Sequence, residues 1–342
     1  MSDDYSRLLN RVLDGGDLTE AEAGRLMHTL ADGEMAPALA GALLAGLRAK
    51  GETADEIRGF ATAMRELALK PSISPGTPTV DTVGTGGDGS GSLNLSTGTG
   101  LLAAACGVRV VKHGNRSISS RSGSADMLEC LGLKLPLDAA ASAAALDALG
   151  FTFLFAPAFH PAMKAIMPVR SALGVRTVFN MLGPLTNPAA PPFQLIGAWS
   201  AAAAKLMADT LAGMPIERAF VVHGEPGWDE ASPAGDFLLY DVRPGSVTGQ
   251  TRSPSDYGLA RCAPGELAGG DAAHNAAELQ RVFAGEDRGP HRDALLMGTS
   301  LVLELMGTVD GPAAGVARAA EALDSGQAAG FLRRCREYFA RQ

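Results

Sequence analysis

Glycine, serine and threonine crowd the segment from Gly84 to Thr97, and a basic, serine-rich run follows from Lys112 to Ser124. The first segment joins an apolar strand-like stretch to an apolar helix-like one, so its main-chain N–H groups lie free of bulky side chains. Bare amides at a helix start stabilise an anion, and phosphate is the anion that suits such a loop best. A second loop of this kind, with cations, indicates a ligand with two separate phosphate groups, such as a phosphorylated sugar.

The glycine-rich loop carries an acid, Asp88, and the sequence Asn94-Leu95-Ser96-Thr97 opens the next helix. An ordinary glycine-rich turn is the alternative, but the embedded acid and the polar helix start favour a binding site. The loop is not a P-loop, because no Gly-Lys-Ser/Thr follows. It is not a dinucleotide fingerprint either, because the spacing match is partial and the acid would repel a pyrophosphate. A metal-bound diphosphate would remove that repulsion.

Basic residues and serines share the second run, which ends a predicted strand: Lys112, His113, Arg116, Ser117, Ser119, Ser120, Arg121 and Ser122. Gly114 allows the chain to turn tightly among them. Hydroxyls next to cations are typical of a phosphate site, although a solvated basic turn has the same composition.

Two further groups could do chemistry. Arg170 has apolar neighbours, so its planar guanidinium is expected at the mouth of a pocket, where it would suit a carboxylate; a structural ion pair is the alternative. Asp229 and Glu230 follow a predicted strand end and are either a solvated pair or a Mg²⁺ site, since Mg²⁺ prefers oxygen ligands and is commonly completed by substrate phosphate. The sequence has no zinc-type His/Cys spacing and no nucleophile signature.

The composition limits the possible functions. The chain has 342 residues, 46% of them hydrophobic and 5% aromatic, with a net charge of −8. This acidic balance argues against general nucleic-acid binding. The four cysteines are far apart, so we expect them to be reduced, in a cytoplasmic protein. The acidic start does not resemble a secretory signal, and no apolar run reaches the roughly 18 residues of a membrane span.

Residues 1–70 are predicted to be helical. Thr19 with Glu22, and Thr53 with Glu56, match the capping-box pattern, and an apolar helix is predicted from about Pro37 to Lys50. The Pro- and Gly-rich stretch of residues 71–78 makes a domain boundary.

Strands and helices alternate beyond Thr79, which predicts an α/β domain with a mainly parallel central sheet flanked by helices. The predicted strands are at 79–83, 108–112, 152–155, 195–198 and 219–223, and the predicted helices between them are at 97–106, 124–131, 139–149, 161–173 and 201–211. Residues 237–270 are expected to form short strands and turns, and the tail from Asn275 to form helices. We therefore expect a small α-helical domain at 1–70, joined by helices around 165–190, and an α/β domain at 79–342.

Five blocks of the sequence together resemble the anthranilate phosphoribosyltransferase family: residues 84–89 (GTGGDG), 94–97 (NLST), 112–126 (KHGNRSISSRSGSAD), 159–188 (FHPAMKAIMPVRSALGVRTVFNMLGPLTNP) and 223–232 (HGEPGWDEAS). Members transfer phosphoribosyl from phosphoribosyl pyrophosphate (PRPP) to the amine of anthranilate in tryptophan biosynthesis, and release pyrophosphate. The resemblance implies a small α domain, a larger α/β domain with substrates in the cleft between them, Mg²⁺ as cofactor, and a homodimer formed through the α domain.

The resemblance also implies the roles of individual residues. PRPP would be bound by Gly84, Gly87, Asp88, Ser92, Asn94, Leu95, Ser96, Thr97, Lys112, His113, Gly114, Asn115, Arg116, Ser117, Ile118, Ser119, Ser120 and Ser124. Anthranilate would be bound by Gly84, His113, Asn115 and Arg170. Mg²⁺ would be bound by Ser96, Asp229 and Glu230. No single catalytic residue is expected, because the amine needs no strong base and the demanding step is departure of pyrophosphate.

The chain departs from the family pattern in three places. Gly298 stands where most relatives have Asn, Ser92 where Thr is more usual, and Asp236-Phe237 is atypical after the acid pair. A diverged enzyme acting on another aromatic amine is therefore an alternative. A pyrimidine-nucleoside phosphorylase shares the two-domain plan and glycine loop, but lacks the KHGNR and Asp-Glu blocks. A nucleic-acid-binding relative would need a basic groove and a degraded glycine loop.

Overall fold

Helices form the amino-terminal part of the chain in the computed structural model, which describes residues 2–74, 78–117 and 121–341. They are α1 (Ser2–Leu13), α2 (Glu20–Asp32), α3 (Pro37–Lys50) and α4 (Ala54–Glu66). Both predicted capping boxes are confirmed. The N–H of Glu22 donates to Oγ1 of Thr19 while its carboxylate accepts from the N–H of Thr19, and Thr53 and Glu56 repeat the exchange. Each pair satisfies two N–H groups that a helix start otherwise leaves unpaired.

A seven-stranded sheet forms the centre of the rest of the chain. Its strands are β1 (Thr79–Gly84), β2 (Arg109–Gly114), β3 (Phe151–Phe155), β4 (Phe193–Gly197), β5 (Arg218–Gly224), β6 (Phe237–Arg243) and β7 (Ser246–Arg252). Their order is β3-β2-β1-β4-β5-β6-β7; the first five are parallel, and β6 and β7 are antiparallel. The predicted fold class, a helical domain followed by an α/β domain with a mainly parallel sheet, is confirmed.

Eleven further α-helices accompany the sheet in the described ranges: α5 (Leu95–Ala105), α6 (Ser124–Cys130), α7 (Ala139–Leu149), α8 (Ala156–Phe159), α9 (Met163–Leu173), α10 (Phe179–Leu185), α11 (Ala201–Ala212), α12 (Ala272–Phe283), α13 (Pro290–Leu305), α14 (Pro312–Asp324) and α15 (Gln327–Phe339). The prediction of one helix from Pro161 to Leu173 was wrong at its start. A short helix ends at Phe159, and the next begins only at Met163. No helix within the described ranges is both long and apolar enough to cross a membrane.

The order of the strands reverses at β1, which lies between β2 on one side and β4 on the other. In open α/β sheets, ligands bind beyond the carboxyl ends of the strands at such a reversal, because the connecting loops diverge there and leave a crevice. The glycine-rich loop leaves β1 at this point. The basic run leaves the adjacent β2, so the two predicted phosphate loops arise side by side.

Strands β1, β4 and β5 all end in glycine at this edge, at Gly84, Gly197 and Gly224. A Cβ atom at Gly197 would collide with the main-chain carbonyl of Asp229, and one at Gly224 with that of Glu230. The segment that carries the two acids therefore crosses directly over the strand ends. Side chains at these positions would push the acids away from the crevice.

Two large apolar cores lie beside the sheet. One is built by α5, α6 and α12–α15 with residues such as Phe153 and Phe220, and the other joins α1–α4 to α10, α11 and residues of β4 and β5 such as Ile196. Ile166 of α9 and Leu182 of α10 belong to the second core. The amino-terminal helices are thus packed against the same sheet that carries the crevice.

Candidate active site

The glycine-rich loop exposes its main chain. Gly86, Gly87, Gly89 and Gly91 all have φ between 58° and 74°, the left-handed region that glycine adopts without strain. The N–H groups of Gly87, Asp88, Gly89 and Gly91 have no hydrogen-bond acceptor among the residues that the structure describes. A cluster of unpaired amides on a glycine-rich turn is suited to an anion with several oxygens.

The two acids predicted from the sequence, Asp229 and Glu230, lie against this loop. The N–H of Gly86 donates to Oδ2 of Asp229 at 2.6 Å, and the N–H of Asp229 donates to Oδ2 of Asp88 at 3.2 Å. The N–H of Ser96, in the first turn of α5, donates to Oε1 of Glu230 at 3.0 Å. Asp229 is only 8% exposed and Glu230 is partly buried, so a fully solvated acid pair does not describe these residues.

The electrostatics of this acid pair favour a bound cation. Burial raises the pKa of Asp229 to about 7, and the nearby Asp88 carboxylate contributes. Burial also raises the pKa of Glu230 to about 8, with the negative charge of Asp229 as the second cause. Carboxylates that are this hard to ionise gain most from a divalent cation, which would neutralise the charge that burial penalises.

The donor set fits Mg²⁺ in particular. Carboxylate and hydroxyl oxygens from Asp229, Glu230 and Ser96 are hard ligands of the kind that Mg²⁺ prefers. Across the described ranges, no three His, Cys, Asp or Glu side chains are spaced to enclose a metal by themselves. In proteins, Mg²⁺ is commonly held by one or two carboxylates, and substrate phosphates complete its coordination.

Lys112 lies inside the molecule beside these acids, and is 1% exposed. Its ammonium group donates to the carbonyl of Thr82 and, at 3.4 Å, to Oγ of Ser96. Burial lowers the pKa of Lys112, and the charges of Asp81, Glu230 and Asp229 act in the opposite direction. A solvated basic turn, the alternative considered for this run, therefore does not describe Lys112.

Side chains tie the two predicted phosphate loops together. Nδ2 of Asn94 donates to the carbonyl of Ser122, and Oγ of Ser122 donates to Oδ1 of Asn94 at 2.9 Å. One turn further on, Oγ1 of Thr97 donates to Oγ of Ser124 at 3.0 Å. Asn275, at the start of α12, donates to the same Oδ1 of Asn94. These bonds fix the spacing between the two loops.

The part of the basic run beyond Gly114 is more exposed. Asn115 and Arg116 are exposed, and the guanidinium of Arg116 forms ion pairs with Asp126 and Glu129, so its charge is already balanced within the chain. The N–H of Ser117 donates to Asp126. Ile118, Ser119 and Ser120 lie outside the described residues.

His113 is buried at the end of β2. Its Nδ1 lies 3.2 Å from the carbonyl oxygen of Gly183, and its ring meets that of His160 edge-on, with centroids 5.1 Å apart. Burial lowers the pKa of His113 to about 3 and that of His160 to about 4, so both imidazoles are neutral near pH 7. Neutral rings can accept a hydrogen bond and line a binding pocket, but they add no positive charge.

A buried acid, Asp81, is hydrogen-bonded to this end of β2. Asp81 accepts from the N–H of His113 at 3.2 Å and from Nδ2 of Asn187 at 2.8 Å. Nδ2 of Asn187 also donates to the carbonyl of Val111. The Thr186-Asn187 end of the 159–188 block is thereby fixed to both central strands.

Arg170 lies in the last turn of α9 and is half-buried. Its guanidinium sits over the ring of Phe179, with Cζ 5.1 Å from the ring centroid, and it has no carboxylate partner within the described parts of the chain. The structural ion pair considered as the alternative is therefore absent there. Burial lowers the pKa of Arg170, yet a guanidinium stays charged at physiological pH. A charged guanidinium without an anion partner is suited to a ligand carboxylate.

The remaining predicted residues have mainly supporting contacts. The side chain of Leu95 packs in a small core with Trp228 and Leu267. Ser92 pairs with Ala268 in an isolated bridge, and Gly114 lets Phe153 pack close to β2.

The unusual Gly298 lies near Glu230. A cavity of about 20 Å³ is lined by Gly298, Glu230, Ser96 and Thr99 among others, which is room for about one water molecule. A Cβ at Gly298 would collide with Oγ1 of Thr99. Glycine at this position is therefore matched to threonine on the facing helix.

Three contributors were missed from the sequence. Asn275 had no local signal, because the contact that matters joins it to a residue 181 positions away. Asn187 and Asp81 were visible as polar residues in apolar surroundings, which is the signal that could have identified them.

Comparison with known proteins was consistent with this geometry. A family model described as "Glycosyl transferase family, a/b domain" matches residues 76–329, and one described as "Glycosyl transferase family, helical bundle domain" matches residues 6–68. The chain is 47% identical over 338 residues to the anthranilate phosphoribosyltransferase of Desulforudis audaxviator, covering 97% of this chain and 96% of that protein.

The chain is also similar to solved structures of anthranilate phosphoribosyltransferases. The anthranilate phosphoribosyltransferase of Thermus thermophilus is similar with a TM-score of 0.90 and 42% identity, over 97% of this chain and 99% of that one. The Saccharomyces cerevisiae enzyme in complex with PRPP and Mg is similar with a TM-score of 0.90 and 25% identity, over 100% of this chain and 99% of that one.

Proposed function

This chain belongs to the anthranilate phosphoribosyltransferase family, and we propose that it transfers the phosphoribosyl group of PRPP to the amine of anthranilate. The products are N-(5-phosphoribosyl)anthranilate and pyrophosphate, in a step of tryptophan biosynthesis. The observation that carries the proposal is the set of unpaired amides in the glycine loop, with the buried Asp229 and the partly buried Glu230 packed against it. That arrangement is suited to a pyrophosphate with a divalent cation.

The pyrophosphate and ribose would lie on the glycine loop and the start of α5, at Gly84, Gly87, Asp88, Ser92 and Asn94–Thr97. The sugar 5-phosphate side would lie along the run from Lys112 to Ser120 and at Ser124. What supports this division is the pair of loops that leave adjacent strands and are tied together by Asn94 and Thr97. The exposed, ion-paired Arg116 would have to exchange a carboxylate for a phosphate oxygen.

Mg²⁺ would be held by Asp229, Glu230 and Ser96, with substrate oxygens as further ligands. When bound, it would stabilise the negative charge that grows on pyrophosphate as the bond to the anomeric carbon breaks. The carboxylates of Asp229 and Glu230 would hold the cation next to the glycine loop. The unpaired N–H groups of that loop would stabilise the same negative charge.

Anthranilate would be held by Arg170 through its carboxylate, with Asn115, Gly84 and His113 around it. The amine would form a bond to the anomeric carbon, the bond to pyrophosphate would break with its electron pair leaving on pyrophosphate, and the amine would then release a proton to water. His113 is buried and neutral, so it can accept a hydrogen bond and line the pocket, but it adds no positive charge. The chain's contribution is to align the amine with the sugar, which is a positioning effect.

The test is loss of anthranilate fluorescence when purified protein receives PRPP and Mg²⁺. We expect a loss of fluorescence that requires the protein, PRPP and Mg²⁺ together. No loss, together with turnover of another aminobenzoate or aniline, would assign the chain to a different acceptor. Phosphorolysis of thymidine would contradict the proposal altogether.

We further propose that the small domain comprises residues 1–70 together with helices around 165–190, and that the α/β domain spans 79–342. Support comes from Ile166 and Leu182, which pack in one core with the amino-terminal helices. We propose a cytoplasmic homodimer joined through the helical domain, supported by the exposed apolar side chains of Leu13 and Met167. Light scattering would give about twice the 35.1 kDa chain mass, and Met167→Glu should weaken the association.

A further inference from the structure

Arg176 joins three separate parts of the molecule, and none of the roles above uses it. Its Nη2 donates to the carbonyl of Gly87 in the glycine loop, and its guanidinium lies over the ring of Trp199, 4.8 Å from the centroid. Its own carbonyl accepts from Nη1 of Arg48 in α3 at 2.6 Å. Arg176 therefore links the helical domain to the glycine loop.

The contact with Gly87 is specific to glycine. A Cβ at this position would lie 3.1 Å from Nη2 of Arg176, closer than side chains normally pack, and the φ of 72° disfavours any other residue. Trp199 is itself anchored, because its main-chain N–H donates to Oγ1 of Thr85 at the start of the same loop. Arg176 thus meets the loop from a defined direction.

The orientation of one peptide group follows from this contact. The peptide between Gly87 and Asp88 is trans, so its C=O and N–H point in opposite directions. Because Arg176 holds the C=O on its own side, the N–H of Asp88 is turned to the other side. That N–H is one of the amides without an acceptor in the described ranges.

The guanidinium has no ion-pair partner in the part of the chain that the structure describes. A full positive charge on a carbonyl oxygen makes a stronger hydrogen bond than a neutral donor would. The positive charge of Arg176 therefore acts on a main-chain carbonyl and not on a carboxylate.

We propose that Arg176 is a positioning residue for the pyrophosphate of PRPP: by holding the carbonyl of Gly87, it presents the N–H of Asp88 to the ligand. The proposal rests on the proposed function, since it assumes that the glycine loop binds pyrophosphate. It predicts that loss of the guanidinium weakens the binding of PRPP and leaves the binding of anthranilate unchanged.

The experiment measures the Kd of PRPP with Mg²⁺ by calorimetry, and the KM of each substrate, for a set of matched variants. Arg176→Met keeps the apolar stem and removes the donors; we expect the PRPP Kd to rise about tenfold or more, the size typical of losing the hydrogen bond from the Asp88 N–H to a charged phosphate. The KM of anthranilate should stay within about twofold. Arg176→Lys keeps one donor and should recover part of the affinity.

Two controls separate positioning from a structural role. Arg48→Met removes the bond to the Arg176 carbonyl but leaves the guanidinium, and should keep the PRPP Kd within about twofold of wild type. Arg243→Met removes the same charge from the exposed end of β6 and should have no effect. A purely structural role would instead raise the KM of both substrates together and make Arg48→Met as harmful as Arg176→Met.

An Arg176→Met protein that binds PRPP as tightly as wild type, while wild type converts anthranilate, would overturn this inference alone. A wild-type protein that binds PRPP but leaves anthranilate unchanged would contradict the proposed function. In that case the calorimetric comparison still decides the role of Arg176.

Discussion

Replacing Asp229 with asparagine should stabilise the metal-free protein and disable the enzyme. In the folded chain the Asp229 carboxylate is buried beside Asp88, and both causes raise its pKa from 3.8 to about 7. Asparagine has nearly the same shape, and its Oδ1 can still accept the hydrogen bond from the N–H of Gly86. The substitution therefore removes the unfavourable charge and keeps the contact.

The size of this stabilisation depends on pH. An acid with a raised pKa in the folded state destabilises that state increasingly as pH rises above the unfolded pKa of 3.8, until the cost levels off above about 7. One pKa unit corresponds to about 1.4 kcal/mol, so the full cost is at most about 4 kcal/mol. The unfolding entropy of a 342-residue chain is about 0.7 kcal/mol/K, which converts this ceiling into a rise in Tm of up to about 6 °C.

The assay is thermal unfolding of wild type and Asp229→Asn at pH 5 and pH 8, each with chelator or with millimolar Mg²⁺. With chelator, the variant should gain in Tm at pH 8 and much less at pH 5. Mg²⁺ at pH 8 should raise the Tm of wild type more than that of the variant, and so reduce the difference. Turnover of the variant at saturating Mg²⁺ should fall about 100-fold or more, the size typical of losing one electrostatic contact to a developing charge.

The matched control is Asp209→Asn, which makes the same chemical change at a partly exposed residue paired with Lys205 on one helix face. It should change Tm by about a degree or less and leave turnover unaltered. The reasoning would be refuted by an Asp229→Asn protein that is no more stable at pH 8 than at pH 5 relative to wild type. Equal stabilisation of both proteins by Mg²⁺ would refute the assigned metal site.

Three further predictions follow from the same site. Arg170→Ala should raise the KM of anthranilate about tenfold or more with little change in that of PRPP, because it removes a charged hydrogen bond to the acceptor carboxylate; steady-state kinetics with each substrate varied would show an unchanged acceptor KM if the role is wrong. Protons compete with Mg²⁺ for Asp229 and Glu230, whose pKa values are raised to about 7 and about 8, so at low Mg²⁺ the rate should rise between pH 6 and pH 8. Added Mg²⁺ should shift this rise in rate to lower pH. A rise whose position does not change with Mg²⁺ would contradict the assignment of Asp229 and Glu230 as metal ligands. Gly298→Ala should cost about 1–3 kcal/mol through collision with Thr99, seen as a lower Tm, and Thr99→Ala in the same protein should restore it; a single variant with the wild-type Tm would contradict the packing argument.

Much of this protein follows from short stretches of its sequence. The capping boxes at Thr19 and Thr53 are local, since donor and acceptor lie three residues apart, and the structure has both. Alternating strands and helices indicated the parallel sheet, because parallel neighbours need a crossover between them. The glycine loop and the Asp229-Glu230 pair were recognisable because each carries its chemistry in adjacent residues.

The tertiary structure decided what these stretches do to one another. The pKa of Asp229 is raised first by burial, which the strand-end glycines permit by letting the acid segment cross the sheet, and then by Asp88, which is 141 positions away. The role of Arg176 depends on a carbonyl 89 positions away and on the ring of Trp199. Local composition specifies which groups a chain can offer, whereas burial and long-range contacts set their charge state and direction, and these depend on how the whole chain packs.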